Sequence, residues 1–175
     1  IGISVKLFVF LSIAPSAFMS ALSAFVAQNM GAGNPQRALR AMYVAQAISF
    51  ACGILTFSLT FFAGDFLASL FDGDPAVIQA TAQYMRGSGF EYLMIPLSFC
   101  FLGYFNGRER TAFVMIQGLA SAFLVRIPLS YYLSRLPGAG MFTISLAVPA
   151  AGLLSLGMCL AYFLHIRRGE PLPGK

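Results

Sequence analysis

Three ionisable residues, Arg86, Glu91 and Arg126, lie in stretches of the sequence that are otherwise free of charge. A carboxylate such as Glu91 can bind a proton or Na⁺, and a nearby guanidinium can change that affinity through its charge. If lipid surrounds these stretches, each charge is costly unless it is paired or hydrated, and it then indicates a functional site. The chemistry that these residue types suggest is therefore reversible ion binding inside a membrane.

The composition indicates that lipid is the solvent for most of the chain. Only 10% of the 175 residues are charged and the mean hydropathy is +0.78, whereas a soluble domain carries about 25% charged residues. A helix needs about 20 residues to cross the bilayer core. The apolar runs are long and continuous, without the strict alternation of barrel strands. We therefore expect an all-α, polytopic transmembrane helix bundle.

Uncharged stretches and turn residues predict five helices. Gly and Pro at 31–35 end the first helix, and Pro75 suits the first turn of the third. The predicted helices span about residues 7–30, 41–63, 76–106, 111–134 and 141–165. The chain begins at Ile1 within a hydrophobic segment, so we expect it to be a piece of a longer protein.

The distribution of basic residues predicts the orientation, because cytoplasmic loops carry an excess of Lys and Arg. One side of the predicted bundle holds seven of them: Arg37, Arg40, Arg108, Arg110, Arg167, Arg168 and Lys175. The other side holds Lys6 and Arg135. This asymmetry predicts a multi-pass protein of the cell inner (plasma) membrane with a cytoplasmic C-terminus and an external acidic loop at 65–74.

Helical rise predicts that Glu91 and Arg126 lie at the same depth. Each is fifteen residues from the end of its own helix at the turn 107–110, which is Asn106 for Glu91 and Thr111 for Arg126. This corresponds to roughly 22 Å at 1.5 Å per residue. Arg86 lies five residues further out. Two interpretations stay open: a structural ion pair between Glu91 and Arg126, or a Glu91 that binds Na⁺ or H⁺ in a water-filled cavity in competition with a cationic drug. Both could hold at different steps of one cycle.

No set of residues in the sequence indicates an enzyme. The single histidine, His165, and the three cysteines have no metal-ligand spacing, and no Ser/His/Asp or Cys/His set is visible. Gly31 and Gly33 are not followed by the third glycine or the Lys-Ser/Thr of a nucleotide-binding loop. We expect no cofactor and no nucleic-acid partner, because the positive-inside rule accounts for the basic residues.

The segment 24–38 resembles the helix-end signature of the multidrug-and-toxin-extrusion (MATE) exporters. In that signature a helix ends in Gln, then Asn or Ala, then any residue and Gly-Ala-Gly. A cytoplasmic loop with Arg-Ala follows. The matching residues here are Gln28, Asn29, Gly31, Ala32, Gly33 and Arg37. The turn 106–111 also resembles the family's Gly-x-Gly-x-Thr-like turn, with Arg replacing a Gly. Two helices and an acidic external loop separate the two motifs, as in the family.

This resemblance implies the fold and the function of a secondary transporter. The family has twelve helices in two six-helix lobes, so residues 1–175 would be a partial C-terminal lobe with the last five helices. Family members exchange H⁺ or Na⁺ for organic cations and other amphiphiles. The resemblance implies an ion ligand at Glu91 for H⁺ or Na⁺, and Na⁺ is the metal ion only if the coupling ion is not a proton. We add Arg126 and Arg86 as ion- or substrate-binding candidates.

Two other functions stay open from the sequence. A flippase for a lipid-linked oligosaccharide or peptidoglycan precursor belongs to the same superfamily and would bind phosphate through basic residues. A structural membrane protein without transport is the second alternative. A continuous cavity that contains Glu91 would argue for transport, whereas a dry Glu91–Arg126 pair in a close-packed bundle would argue for a structural role.

Overall fold

The computed structural model describes residues 9, 11–70, 73–135 and 141–169, and in these ranges it is all-α. Three features of the sequence analysis lie outside the described residues. They are the predicted start of the first helix at residue 7, Lys6 and Lys175. The helices are α1 (Ile13–Gly31), α2 (Pro35–Phe62), α3 (Gly64–Ser69), α4 (Pro75–Ser88), α5 (Glu91–Gly107), α6 (Thr111–Ala120), a π-helical segment (Ser121–Arg126), α7 (Ile127–Ser134), α8 (Met141–Ser145) and α9 (Ala147–Gly169).

Three helical stretches are long and apolar enough to cross a membrane. They are α2, the continuous helix Thr111–Ser134 formed by α6, the π segment and α7, and the stretch Met141–Arg168 that contains α8 and α9. The absence of strands in the described residues and these apolar helices confirm the prediction of an all-α transmembrane bundle.

Gly33 ends α1, because the backbone at this position has a left-handed conformation. Gly33 has a φ of 71°, which an L-residue with a Cβ adopts only at a cost. The N–H of Gly33 donates to the carbonyl of Met30 at 3.1 Å, and the N–H of Asn34 donates to that of Asn29 at 2.8 Å. This is the Schellman arrangement, which satisfies the last carbonyls of a helix and lets α2 begin at Pro35.

α1 and α5 form the most extensive helix–helix contact of the bundle, and two small residues make it. A Cβ on Gly103 would lie 2.6 Å from the carbonyl oxygen of Met19, and one on Gly107 would lie 2.5 Å from that of Ser23. Gly103 and Gly107 are four residues apart, which is the spacing at which small residues let two membrane helices approach closely. The contact therefore depends on the absence of a side chain at these two positions.

An aromatic cluster holds α5 against α9 and α6. Phe101 and Tyr104 pack around Phe163 with ring centroids 5.4 and 5.9 Å away, and Phe113 stacks on Tyr162 at 3.8 Å. This cluster lies near the end of the bundle that contains the α1–α2 connection, the α5–α6 turn and the end of α9, which we call the basic end. The other end is formed around α3 and the start of α4.

The third predicted helix is divided in the structure. It is expected to run continuously over 76–106, but α4 ends at Ser88 and α5 begins at Glu91. The N–H of Tyr92 donates to the carbonyl of Gly89 at 2.9 Å, so the ladder switches to bonds three residues apart. Pro96 has no N–H to give to the carbonyl of Tyr92, which weakens the helix at this point.

The fourth predicted helix contains a π segment that the sequence analysis does not anticipate. The N–H of Ile127 donates to the carbonyl of Ala122, five residues earlier. Pro128 follows directly and cannot donate to the carbonyl of Leu124, so the turn before it lacks one α-helical bond. Such π turns are rare and occur often at functional sites. The wider turn places Ser121 and Arg126 on the same side of the helix.

Candidate functional site

A cavity of about 230 Å³ lies between α5, the continuous helix Thr111–Ser134 and α9. Each of these three helices contributes polar side chains to its wall. The lining residues are Glu91, Ile95, Ser98, Phe99, Leu102, Gln117, Gly118, Ser121, Ala122, Arg126, Ala151, Gly152 and Ser155. Two of the three candidate residues from the sequence, Glu91 and Arg126, therefore face one space.

The helix break positions Glu91. It is the first residue of α5 and directly follows the tighter turn at Gly89 and Phe90. Its side chain is mostly buried, and its Oε2 atom has no hydrogen-bond partner among the described residues. A buried carboxylate oxygen without a partner is costly. The geometry therefore leaves Glu91 with an unused ligand atom beside a cavity.

Arg126 lies opposite, at the last position of the π segment, and its side chain is exposed. Its positive charge interacts with Glu91, yet no ion pair within 4 Å joins the two side chains in the part of the chain that the structure describes. The direct structural ion pair that the sequence left open is thus not formed here. The guanidinium remains available at the cavity wall.

Four neutral polar residues complete the cavity, and sequence reasoning missed all of them. Gln117 donates its amide N–H to the hydroxyl of Ser155, and the hydroxyl of Ser121 donates to the carbonyl of Ala151 at 2.9 Å. These two bonds join the α6–π helix to α9. Ser98 has a buried Oγ without a partner among the described residues. Its spacing of seven residues from Glu91 places both on one helix face and is the signal that could have found it.

A carboxylate and a guanidinium thus line one cavity inside an apolar helix bundle. The family model MatE matches residues 1–132 of the chain, which is most of its length. The chain belongs to the MatE family of membrane transporters. It is similar to the FAD transporter of Shewanella oneidensis, with 32% identity over 173 residues, 98% of this chain and 37% of the relative. The chain thus spans about 37% of that relative's length. No solved structure matches the chain.

The segment Gln28 to Arg37, which resembles a helix-end signature of MATE exporters, lies at the basic end and away from the cavity. Asn29 is buried and donates its amide N–H to the carbonyl of Phe25 at 2.7 Å. The guanidinium of Arg37 lies 5.6 Å from the centre of the Phe25 ring. The carbonyl of Gln28 accepts from the N–H of Ala32 at 3.0 Å. In this MatE chain the motif residues thus build the α1–α2 connection around Gly33.

The turn between α5 and α6, which resembles a MATE turn, contains a residue other than glycine in the left-handed conformation. The sequence comparison takes an Arg to replace a Gly. In the structure the position with the left-handed conformation is Glu109, with a φ of 61°, whereas Arg110 has an ordinary φ of −93°. The residue that stands where a glycine is favoured is therefore Glu109.

The structure places Arg86, the third candidate, apart from the cavity of this MatE chain. Its guanidinium forms an ion pair with the carboxylate of Asp65 at 2.7 Å. Asp65 lies in α3 and Arg86 in the last turn of α4, so the pair joins two helices at the end of the bundle opposite to the basic end. Arg86 thus has a partner of its own and does not line the space between Glu91 and Arg126.

Proposed function

We propose that this chain is the C-terminal lobe of a secondary antiporter, and that Glu91 is the group at which the coupling ion, H⁺ or Na⁺, binds. The observation that carries the proposal is the Oε2 atom of Glu91, which is buried without a hydrogen-bond partner among the described residues, in a side chain that lines a cavity. Intramembrane carboxylates of this kind mark ion pathways. The oxygen needs a proton, a cation or water to offset its burial.

The charges around the cavity explain how an ion and a cargo could exclude one another. A cationic cargo beside an ionised Glu91 replaces the proton or Na⁺ as its counter-charge. Arg126 interacts with Glu91, and its positive charge makes binding of two cations at once unfavourable. Antiport follows if one conformation of the lobe binds the coupling ion and the other conformation binds the cargo. An N-terminal lobe of the same chain would then close the cavity on its open side.

Organic cations and other amphiphiles are the first cargo class, because Glu91 can pair with a cation inside an apolar wall. FAD is the second candidate, since the relative with 32% identity is named a FAD transporter. Arg126 favours it, because a guanidinium binds phosphate oxygens in a bidentate manner. We place the protein in the inner membrane with the basic end and the C-terminus in the cytoplasm, as the loop charges predict.

The test is efflux by cells that express the full-length reading frame containing this chain. Glu91→Gln keeps the shape of the side chain and removes its charge. We expect it to lower ethidium efflux at least tenfold at unchanged membrane expression, and Glu109→Gln, the same change at an exposed turn outside the cavity, to leave efflux intact. Efflux that persists in Glu91→Gln would contradict the proposal. FAD in the medium is measured in the same cells to decide between the two cargo classes.

A further inference from the structure

We infer that Arg40, Tyr43 and Arg167 bind the phosphate of an anionic phospholipid at the basic end, with an acyl chain of that lipid between α2 and α9. This site is separate from the cavity at Glu91 and does not depend on the proposed antiport. α2 and α9 both pack against α5 but have little contact with each other. We call the space between them the α2–α9 gap.

The charge of the basic end is the first observation. The described arginines at this end are Arg37, Arg40, Arg108, Arg110, Arg167 and Arg168, whereas Glu109 is the one acidic residue there in the described ranges. Neither Arg40 nor Arg167 forms an ion pair with a residue that the structure describes. Anionic headgroups attract arginines at the cytoplasmic surface of a membrane, so a lipid phosphate can supply the counter-charge.

The position of Arg167 is the second observation. Its Nη1 atom donates to the hydroxyl of Tyr43 at 3.3 Å, and its guanidinium lies 5.8 Å from the centre of the Phe163 ring. The rings of Phe163 and Tyr43 meet edge to face, with centroids 6.4 Å apart. These contacts hold the guanidinium across the α2–α9 gap. A guanidinium has five N–H donors, so those that are not given to Tyr43 can bind phosphate oxygens.

Two further donors lie on α2. The hydroxyl of Tyr43 accepts from Arg167, and its own O–H has no acceptor among the described residues. Arg40 is exposed and lies three residues before Tyr43, a spacing that makes two side chains neighbours on a helix surface. Two guanidiniums and one hydroxyl thus meet at the same end of the gap. Charge-assisted hydrogen bonds from arginine to phosphate are among the strongest in proteins.

The apolar surface beside these donors indicates a lipid rather than a soluble phosphate. Tyr43, Phe50 and Ile54 are exposed, and their spacing of seven and four residues places them on one face of α2. On α9, Leu153 and Leu160 are exposed and precede the arginine at seven-residue intervals. Because the tyrosine and the arginine contact each other across the gap, both faces border it.

The length of this apolar surface matches one leaflet of the membrane. From Tyr43 to Ile54 the face of α2 extends about 16 Å at 1.5 Å per residue. The hydrocarbon core of a bilayer is about 30 Å thick, so this face covers about half of it. An acyl chain whose phosphate is held by the two arginines would therefore lie along the gap within its own leaflet.

Native mass spectrometry of the purified full-length protein measures the affinity of its tightest lipid site. The probes are palmitoyl-oleoyl phosphatidylglycerol and the phosphatidylcholine with the same chains, which has no net charge. We expect wild type to bind the phosphatidylglycerol at least tenfold more tightly. Arg40→Gln and Arg167→Gln should each weaken its binding about tenfold, through the loss of a charge-assisted hydrogen bond.

Arg168→Gln is the matched control. It removes the same charge at the same end of α9, but from a position about 100° around the helix from Arg167, and it should change the affinity less than twofold. Tyr43→Phe keeps the ring packing and removes the hydroxyl, so it tests the site even if an arginine variant does not fold. We expect it to weaken phosphatidylglycerol binding about fivefold.

Three results would overturn the site. Equal losses in Arg167→Gln and Arg168→Gln would mean that only the overall charge of the basic end attracts lipid. Displacement of the phosphatidylglycerol by excess glycerol 3-phosphate, which has no acyl chain, would mean that a soluble phosphate binds there instead. Unchanged affinity in Arg40→Gln, Tyr43→Phe and Arg167→Gln is the third.

Failure of the antiporter proposal has a separate signature, which is unchanged efflux in Glu91→Gln. That variant should bind the phosphatidylglycerol as wild type does, because Glu91 lies outside the lipid site. The two failures are therefore distinguishable.

Discussion

The carboxylate of Glu91 and the guanidinium of Arg126 line one cavity without forming an ion pair within 4 Å. The helix break at Gly89–Phe90 and the π segment produce this arrangement, since each residue lies at one end of an irregular turn. A direct ion pair would have neutralised the two charges and would have indicated a structural role in helix packing. Kept apart in a cavity, both remain able to bind small ions or charged groups.

Water access to Ser98 is the first prediction, because the cavity beside it has room for several water molecules. In a Cys52→Ala background of the full-length protein, Ser98→Cys should react with a charged methanethiosulfonate at least tenfold faster than the native Cys100, since the reaction requires a hydrated thiolate. Cys100 is two residues away and fully buried, which makes it a control at the same depth. Mass spectrometry measures the modification of each thiol. Equally slow modification of the two thiols would mean that the cavity contains no water.

The close contact between α1 and α5 gives the second prediction. A Cβ on Gly103 would meet the backbone of Met19 at 2.6 Å, so Gly103→Ala should force the helices apart and lower the free energy of unfolding by about 1–3 kcal/mol. Gly157→Ala in α9 is the matched control, since nothing lies within 4 Å of a Cβ there. Thermal unfolding in detergent measures both, and equal effects of the two changes would show that the contact is not tight.

The left-handed conformation of Glu109 gives the third prediction. At a φ of 61° an L-residue is strained, so Glu109→Gly should raise the free energy of unfolding by about 0.5–1 kcal/mol. Arg110→Gly changes a neighbour of the same turn with a φ of −93° and should not stabilise the protein. The same unfolding measurement applies, and a lower stability of Glu109→Gly would disprove the argument from strain.

The ion pair between Asp65 and Arg86 gives the fourth prediction. Its side chains are 59% and 42% exposed, and exposed pairs contribute about 0–1 kcal/mol. Asp65→Asn, Arg86→Gln and the double variant should therefore show a coupling energy below about 1 kcal/mol, which decreases as salt is added. A coupling of several kcal/mol in the double-mutant cycle would indicate that the pair is shielded from water.

Much of the fold could be predicted from the sequence, because lipid imposes strong rules on composition. Uncharged stretches and Gly-Pro turns predict an all-α transmembrane bundle, which the structure confirms. Counting residues from the turn at 107–110 predicts that Glu91 and Arg126 lie at one level, which stays a prediction, and the structure shows both lining one cavity. The small residues Gly103 and Gly107 have the four-residue spacing of a helix-packing motif, but the sequence alone does not show that α1 is the helix they contact.

The remaining features depend on contacts that no local pattern specifies. The break at Gly89 lies seven residues before Pro96, so the proline alone does not locate it. Gln117 and Ser155 are 38 positions apart, and only the packing of α6 against α9 makes them partners. Serines are frequent in membrane helices, and the spacing of Ser98 from Glu91 does not show that its hydroxyl lacks the backbone bond that other helical serines make.

Ion release on cargo binding tests the central claim most directly. Tetraphenylphosphonium is added to the purified full-length protein in weak buffer, proton release is followed with a pH dye, and the binding is repeated with added Na⁺. If Glu91 is the coupling site, wild type and Glu109→Gln release a proton on binding or bind the cation more weakly in Na⁺, and Glu91→Gln shows neither effect. Ion release or Na⁺ competition that is unchanged in Glu91→Gln would contradict the account.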